Sequence, residues 1–116
     1  MKIQRFEDII AWQKSKQIVL VTYKHFGKLH DLAFKNQILR CSLSIMNNIA
    51  EGFERMSNKE FINFLYISKG SCGELRSMLY VAIELNYLKR QEFDNMMNLS
   101  EEISKLLSGF IKSLRK

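Results

Sequence analysis

The stretch SNKEFINFLYISKGSCGELRSMLYVAIELN, residues 57–86, decides how the rest of the chain is read. It opens on Ser57-Asn58-Lys59-Glu60, a capping box in which the Ser57 hydroxyl accepts from the Glu60 backbone N–H while Glu60 reaches back. Phe61, Leu65, Ser68, Cys72, Leu75, Leu79 and Ala82 then recur at three- and four-residue steps, the period of one helix face. Asn86 makes a fitting end, because asparagine tolerates the left-handed conformation common just past a helix terminus. The spacing predicts a helix over residues 58–86.

The same period continues on both sides. Upstream, Asp31 caps a helix expected over residues 32–55, with a core stripe of Phe34, Ile38, Cys41, Ile45, Ile49 and Gly52. Before it, Phe6, Ile9, Trp12, Val19, Tyr23 and Phe26 mark a helix over residues 6–27, its stripe interrupted at Lys16. Gly27 is its stop, and Lys24 and Lys28 stand where a helix C-terminus favours positive charge. Downstream, Phe93, Met97, Ile103, Leu107, Phe110 and Leu114 predict a fourth helix over residues 90–115, without Ser, Thr, Asp or Asn at its expected cap.

Composition agrees. The 116 residues contain no proline and five glycines, which favours long helices over a turn-rich β fold. An apolar fraction of 47%, with eight Phe, four Tyr and one Trp, excludes intrinsic disorder. Connections of about three to six residues force successive helices to lie antiparallel and adjacent. The expected fold is all-α, an antiparallel up-down-up-down four-helix bundle formed by residues 1–116 as one domain. No apolar run reaches the ~18–20 residues of a membrane span, and the first residues do not read as a secretory signal. Two cysteines are too few for a disulfide scaffold and fit a reducing cytoplasm, the expected location.

Charge bounds the partners. Eighteen Lys and Arg against 12 Asp and Glu give +6 at pH 7, and the isoelectric point is near 9.4. Residues 1–58 hold nine basic and five acidic side chains and residues 59–116 nine and seven, so there is no basic arm. Such a balance permits weak, salt-sensitive attraction to nucleic acid, and it also describes proteins that bind none. Dispersed cations such as Lys14, Lys16, Lys24, Lys28, Lys112 and Arg115 are the candidate phosphate contacts.

Two surfaces exceed what a bundle core requires. On the third helix Ile62, Tyr66, Gly73 and Tyr80 fall together beside the core stripe, at steps of four, seven and seven residues, and Ile67, Met78 and Leu85 fall on the other flank. Tyrosines covering the rim of a wide core would account for the first set; so would a seam for self-association, closing into a ring. Ser68, Gly70, Ser71, Cys72 and Gly73 make a small-residue patch, and a glycine inside a helix costs ~1 kcal/mol relative to alanine, which points to close approach of another backbone. On the second helix Gln37, Arg40, Ser44, Asn47, Asn48, Glu51 and Arg55 share one face, rich in short amides and hydroxyls. Such a face is either solvated or in directed contact with a neighbour; the contact reading puts Arg40 and Glu51 partly out of solvent.

Catalysis finds little support. His25 and His30 are the only histidines, with Asp31 the one further ligand type nearby, short of a zinc set. No phosphate-binding Gly-rich loop and no His-Glu-x-x-His occurs. Gly70-Ser71-Cys72-Gly73 lies inside a helix, where a nucleophile elbow does not form. Glu51 and Glu54 are an ordinary pair across one helix turn. No metal, no cofactor and no enzymatic activity are expected.

The stretch Gln37-Ile38-Leu39-Arg40-Cys41-Ser42-Leu43-Ser44-Ile45-Met46-Asn47-Asn48-Ile49-Ala50-Glu51-Gly52 closely resembles the Q-x-x-R-x-x-x-S-I-x-x-N-I-A-E-G signature of the bacterial four-helix-bundle proteins encoded by intervening sequences of 23S ribosomal RNA genes. The match continues through Ser57-Asn58-Lys59-Glu60-Phe61, Phe64 to Ser71, Glu74-Leu75, Leu85-Asn86-Tyr87-Leu88 and the opening Trp12-Gln13-Lys14. Gln37, Arg40, Ser44, Asn48 and Glu51 are its polar positions. The resemblance implies an up-down bundle that assembles as a barrel-like homopentamer without catalytic residues. The family is similar to the accessory variability protein of diversity-generating retroelements, a basic pentamer associated with reverse transcriptase and nucleic acid. Many members carry Pro-Ser where this chain has Met46-Asn47, so its second helix is expected to be less kinked. The expected function is that of a non-enzymatic, oligomeric protein binding structured RNA or a nucleoprotein complex through a basic surface; a protein-interaction scaffold is the alternative.

Overall fold

The computed structural model describes residues 3–115. A single 3₁₀ turn at Phe6–Asp8 precedes α1 (Ile10–Phe26), α2 (Leu32–Phe53), α3 (Asn58–Glu84) and α4 (Arg90–Leu114). Each helix packs against its neighbours in sequence, and α4 closes against α1, giving the expected up-down-up-down bundle, 44 × 22 × 19 Å. None of the described helices is long and apolar enough to cross a membrane.

The helix ends follow from local chemistry. Asp31 accepts from the Phe34 N–H at 3.2 Å and starts α2; its second carboxylate oxygen accepts from the Tyr87 hydroxyl at 2.7 Å, which ties that end to the α3–α4 turn. Because Asp31 accepts from the neutral phenol, the Tyr87 pKa is raised. Ser57 accepts from the Glu60 N–H at 3.2 Å, so this half of the capping box forms. Asn86 takes φ 63°, and the Tyr87 N–H reaches back to the Ala82 carbonyl at 2.8 Å. The missing cap of α4 is replaced from inside the helix. Glu92 accepts from the Lys89 N–H at 2.9 Å, which holds its carboxyl below the usual range, helped by the charges of His25, Lys89 and Lys24 against the opposing effect of burial.

The first helix departs from expectation. Its first turn is not α-helical: Ile9 is extended, with φ −76° and ψ 121°, and the preceding 3₁₀ turn lays Phe6 edge-on against Trp12 at 5.2 Å. Its buried stripe is Ala11, Ser15, Ile18, Val19, Thr22 and Phe26, while Tyr23, expected in the core, is 45% exposed. The reason is that Ser15 and Thr22 donate to the Ala11 and Ile18 carbonyls, each at 2.6 Å, so both hydroxyls enter the core satisfied. The fourth helix shifts likewise: Met96, Ser100 and Ile111 are buried, and Met97, Phe110 and Leu114 are only half-buried.

Close backbone approach occurs at Gly52, not in the small-residue patch of α3. A Cβ at Gly52 would stand 2.7 Å from the Phe64 Cβ and 2.9 Å from the Phe61 ring, whereas one at Gly70 would meet nothing within 4 Å and one at Gly73 only an Arg76 nitrogen at 3.8 Å. Gly52→Ala should therefore cost about 1–3 kcal/mol through overpacking, while Gly70→Ala, on an exposed helix face, should gain up to ~1 kcal/mol. Urea denaturation of the two variants checks this, and equal shifts in the same direction would contradict it.

Candidate nucleic-acid interface

α1 turns one whole face to solvent, carrying Gln13, Lys16, Gln17, Leu20, Tyr23 and Lys24. It contains no acidic residue. From Ile9 to Ala50 the chain has six Lys and Arg and a single carboxylate, Asp31, whose oxygens are already engaged by Phe34 and Tyr87. Comparing the two halves of the sequence hides this concentration, because Glu7, Asp8, Glu51 and Glu54 fall just outside it.

The six candidate cations do not form one patch. Lys16, Lys24 and Lys28 are exposed along α1 and the turn that follows it, with no carboxylate within 4.0 Å among the described residues. Lys14 pairs with Glu102 of α4 at 3.3 Å, and so is the least available. Lys112 and Arg115 are exposed at the far end of α4. Arg115 lies over the Tyr66 ring, 5.6 Å from its centroid, and also donates to the Tyr66 hydroxyl. Lys35 and Arg40 belong to the basic stretch and carry no ion pair among the described residues. Lys35 was missed by sequence reasoning, though a running count of charge over residues 9–50 reveals it.

The polar face of α2 divides. Gln37 donates to Glu74 of α3 at 3.1 Å, and Ser44 shares a 2.8 Å hydrogen bond with Ser71 of α3. Asn48 donates to the Ser44 carbonyl at 2.8 Å and its hydroxyl at 3.0 Å. Gln37 and Ser44 clip α2 to α3, and Asn48 braces Ser44 from within α2. Arg40 and Glu51, expected to be partly buried, are instead exposed within the chain; Glu51 pairs with Arg55 one turn on at 2.9 Å, and Arg55 lies over the Phe64 ring.

The seam expected on α3 runs beside α4 of the same chain. Tyr80 packs edge-on against Phe93 of α4 at 5.5 Å and Tyr66 meets Arg115, although the tyrosines remain 58% and 46% exposed. Ile62 and Gly73 are half-buried beside them. On the other flank Ile67, Val81 and Leu85 are exposed and Met78 is half-buried.

Reactive chemistry is scarce. Cys41 and Cys72 are buried free thiols pushed up to about 12 and about 11 chiefly by burial, which leaves almost no thiolate at neutral pH. His25 sits 3.6 Å from Glu92, as a link between α1 and α4. Among the described residues no three His, Cys, Asp or Glu gather as a metal set.

Comparison with known proteins adds two findings. The model of the 23S rRNA-intervening sequence protein family matches residues 7–109. The crystal structure of a protein of unknown function from the S23 ribosomal protein family of Bacteroides thetaiotaomicron is similar to this chain at 31% identity and a TM-score of 0.82, over 89% of this chain and 99% of that one. No curated protein matches.

Because Arg40 has no partner among the described residues, Arg40→Ala should leave the stability of the single chain within about 0.5 kcal/mol of the parent. A thermal melt at low protein concentration reads this; a larger loss would mean that a second copy buries the guanidinium.

Proposed function

The chain belongs to the family of 23S rRNA-intervening sequence proteins, and from that premise we propose that it is a non-enzymatic helical protein that binds structured RNA through the outer faces of α1 and the first half of α2. The observation that carries this reading is the basic stretch from Ile9 to Ala50, whose one acid is Asp31, with Lys16, Lys24, Lys28 and Arg40 exposed and unpaired among the described residues. Cations free of carboxylate partners lose no internal ion pair when a phosphate arrives, and they release its counterions. The interleaved Gln13, Gln17 and Tyr23 supply hydrogen-bonding and stacking groups, and both family names point toward ribosomal RNA.

Affinity for a structured RNA should fall steeply with salt, with a log–log slope near the number of phosphates neutralised. Lys16→Glu combined with Lys24→Glu should weaken binding at least tenfold and flatten that slope. A mobility shift between 50 and 200 mM salt tests both. Absence of binding at low salt would favour the protein-interaction scaffold instead.

Self-association belongs to the same reading. Ile67, Val81 and Leu85 leave an exposed apolar flank on α3 with no helix of the same chain over it, and apolar surface of that kind marks contact with a partner. A ring of copies, five by family resemblance, would repeat the basic surface around its outside and multiply the field that draws in a polyanion. Light scattering should give a mass several times the 13.7 kDa of the chain, falling toward one chain in the variant Ile67→Asp with Leu85→Asp. A parent mass near one chain at micromolar concentration would refute the assembly.

A further inference from the structure

Along the groove between α3 and α4, two aromatic side chains bracket two basic ones: Tyr66, Lys69, Gly73, Arg76 and Tyr80 follow one another at steps of three, four, three and four residues, so they share one helical row. Both tyrosines are about half exposed and lean over the groove toward α4, where Tyr80 rests on Phe93 and Tyr66 on Arg115. Lys69, Arg76 and Arg115 have no carboxylate within 4.0 Å among the described residues.

Arg76 is held in place across the groove: its guanidinium donates to the Ser100 hydroxyl at 3.2 Å and to the Ser100 carbonyl at 3.5 Å, and that hydroxyl in turn donates to the Cys72 carbonyl at 3.2 Å. One face of a planar five-donor group is thereby oriented by neutral partners, and its charge is left without a counter-ion. Gly73 keeps the floor open, since a Cβ there would touch only the Arg76 side chain. Of the acids on α4, Asp94 is already paired with Arg90 at 3.3 Å and Glu101 faces solvent.

We infer that this groove takes an unpaired segment of RNA, its bases stacking on Tyr66 and Tyr80 and its phosphates meeting Lys69, Arg76 and Arg115. This rests on the RNA-binding reading above and adds a second, chemically distinct surface to it. Stacking platforms combined with a cationic track are what single strands require, because every base presents a π face whatever its sequence. Fourteen residues of α3 separate the tyrosines, about 21 Å at 1.5 Å per residue, so a segment of several nucleotides is needed to reach both. The α1 face has a single exposed ring, Tyr23, among its cations, so phosphate contact dominates there, as a duplex presents it.

The test uses two probes, a twelve-nucleotide oligouridylate and a fully paired RNA hairpin with a short loop, titrated against the whole chain. Tyr66→Ala with Tyr80→Ala removes two base–aromatic stacks and should weaken oligouridylate binding by about 30-fold or more, and leave hairpin binding within twofold. Tyr66→Phe with Tyr80→Phe keeps the rings and should bind the oligouridylate like the parent, which separates loss of stacking from loss of fold. Lys69→Gln should lower the salt slope for the oligouridylate by about one. If the parent binds the hairpin but not the oligouridylate, or if the double alanine variant binds both probes unchanged, the groove inference is overturned while the α1 reading stands. If the parent binds neither probe at low salt, both fall together.

Discussion

The bundle depends on hydroxyl groups buried where its helices meet. Ser68 of α3 donates to the Ile45 carbonyl of α2 at 2.6 Å, and Ser100 of α4 donates to the Cys72 carbonyl of α3 at 3.2 Å. Each bond inserts a small side chain where a leucine would hold two helices further apart. The central helix is thus fastened on both sides by a hydroxyl that reaches a neighbouring backbone. Among the described residues the six buried polar ones, Ser15, Thr22, Ser42, Ser68, Ser71 and Ser100, are all hydroxyl-bearing. Among the described residues no buried side-chain polar atom is left without a partner, so the arrangement escapes the desolvation cost of about 1–3 kcal/mol per unmade bond. Ser71 meets Ser44 in the same layer, and this is why part of the polar face of α2 belongs to the α2–α3 contact and part to solvent.

That principle also marks the limit of what the sequence reveals. Where core residues are apolar, as with Ile38, Cys41, Ile45 and Ile49 of α2 or Leu65, Cys72, Leu75 and Leu79 of α3, the period alone places them correctly. Ser68 falls on the stripe of α3 and the period places it, but at Ser15, Thr22 and Ser100 hydropathy assigns the hydroxyl residue to the surface and selects a neighbour in its place. Tyr23 is chosen because Thr22 reads as polar, and Met97 because Ser100 does. The hydrogen bonds that license these burials are to backbone carbonyls, which carry no residue identity. The cap of α4 is hidden for a related reason: it comes from Glu92, inside the helix, and not from the residue before it.

Charge was legible in amount and in its concentration along the chain, but not in its pairing. Counting by halves spreads the excess evenly, yet folding sets Ile9–Ala50 on one side of the bundle with a single acid among six bases. Lys14 shows why a list of lysines is insufficient: its partner, Glu102, lies 88 positions away in sequence and 3.3 Å away in space. Only the antiparallel closure of α4 on α1 makes that pair, and nothing local predicts it.

The two flanks of α3 now carry different chemistry, and the difference follows from what α4 supplies. Beside α4, Tyr66 and Tyr80 find Arg115 and Phe93; edge contact with a ring and cation contact with a face hold each tyrosine at one angle without burying it. On the flank toward α2, Ile67, Val81 and Leu85 meet no aromatic or cationic partner and stay apolar and exposed. A flank of exposed apolar side chains with one carboxylate, Glu74, among them suits contact with another copy of the chain, whereas a groove of fixed rings and unpaired cations suits a flexible polyanion. Because the flanks lie on opposite sides of the outer face of one helix, assembly through the first leaves the second open. An assembly built on the apolar flank would therefore present as many open grooves as it has chains, and a single strand reaching several of them would gain affinity from effective concentration alone.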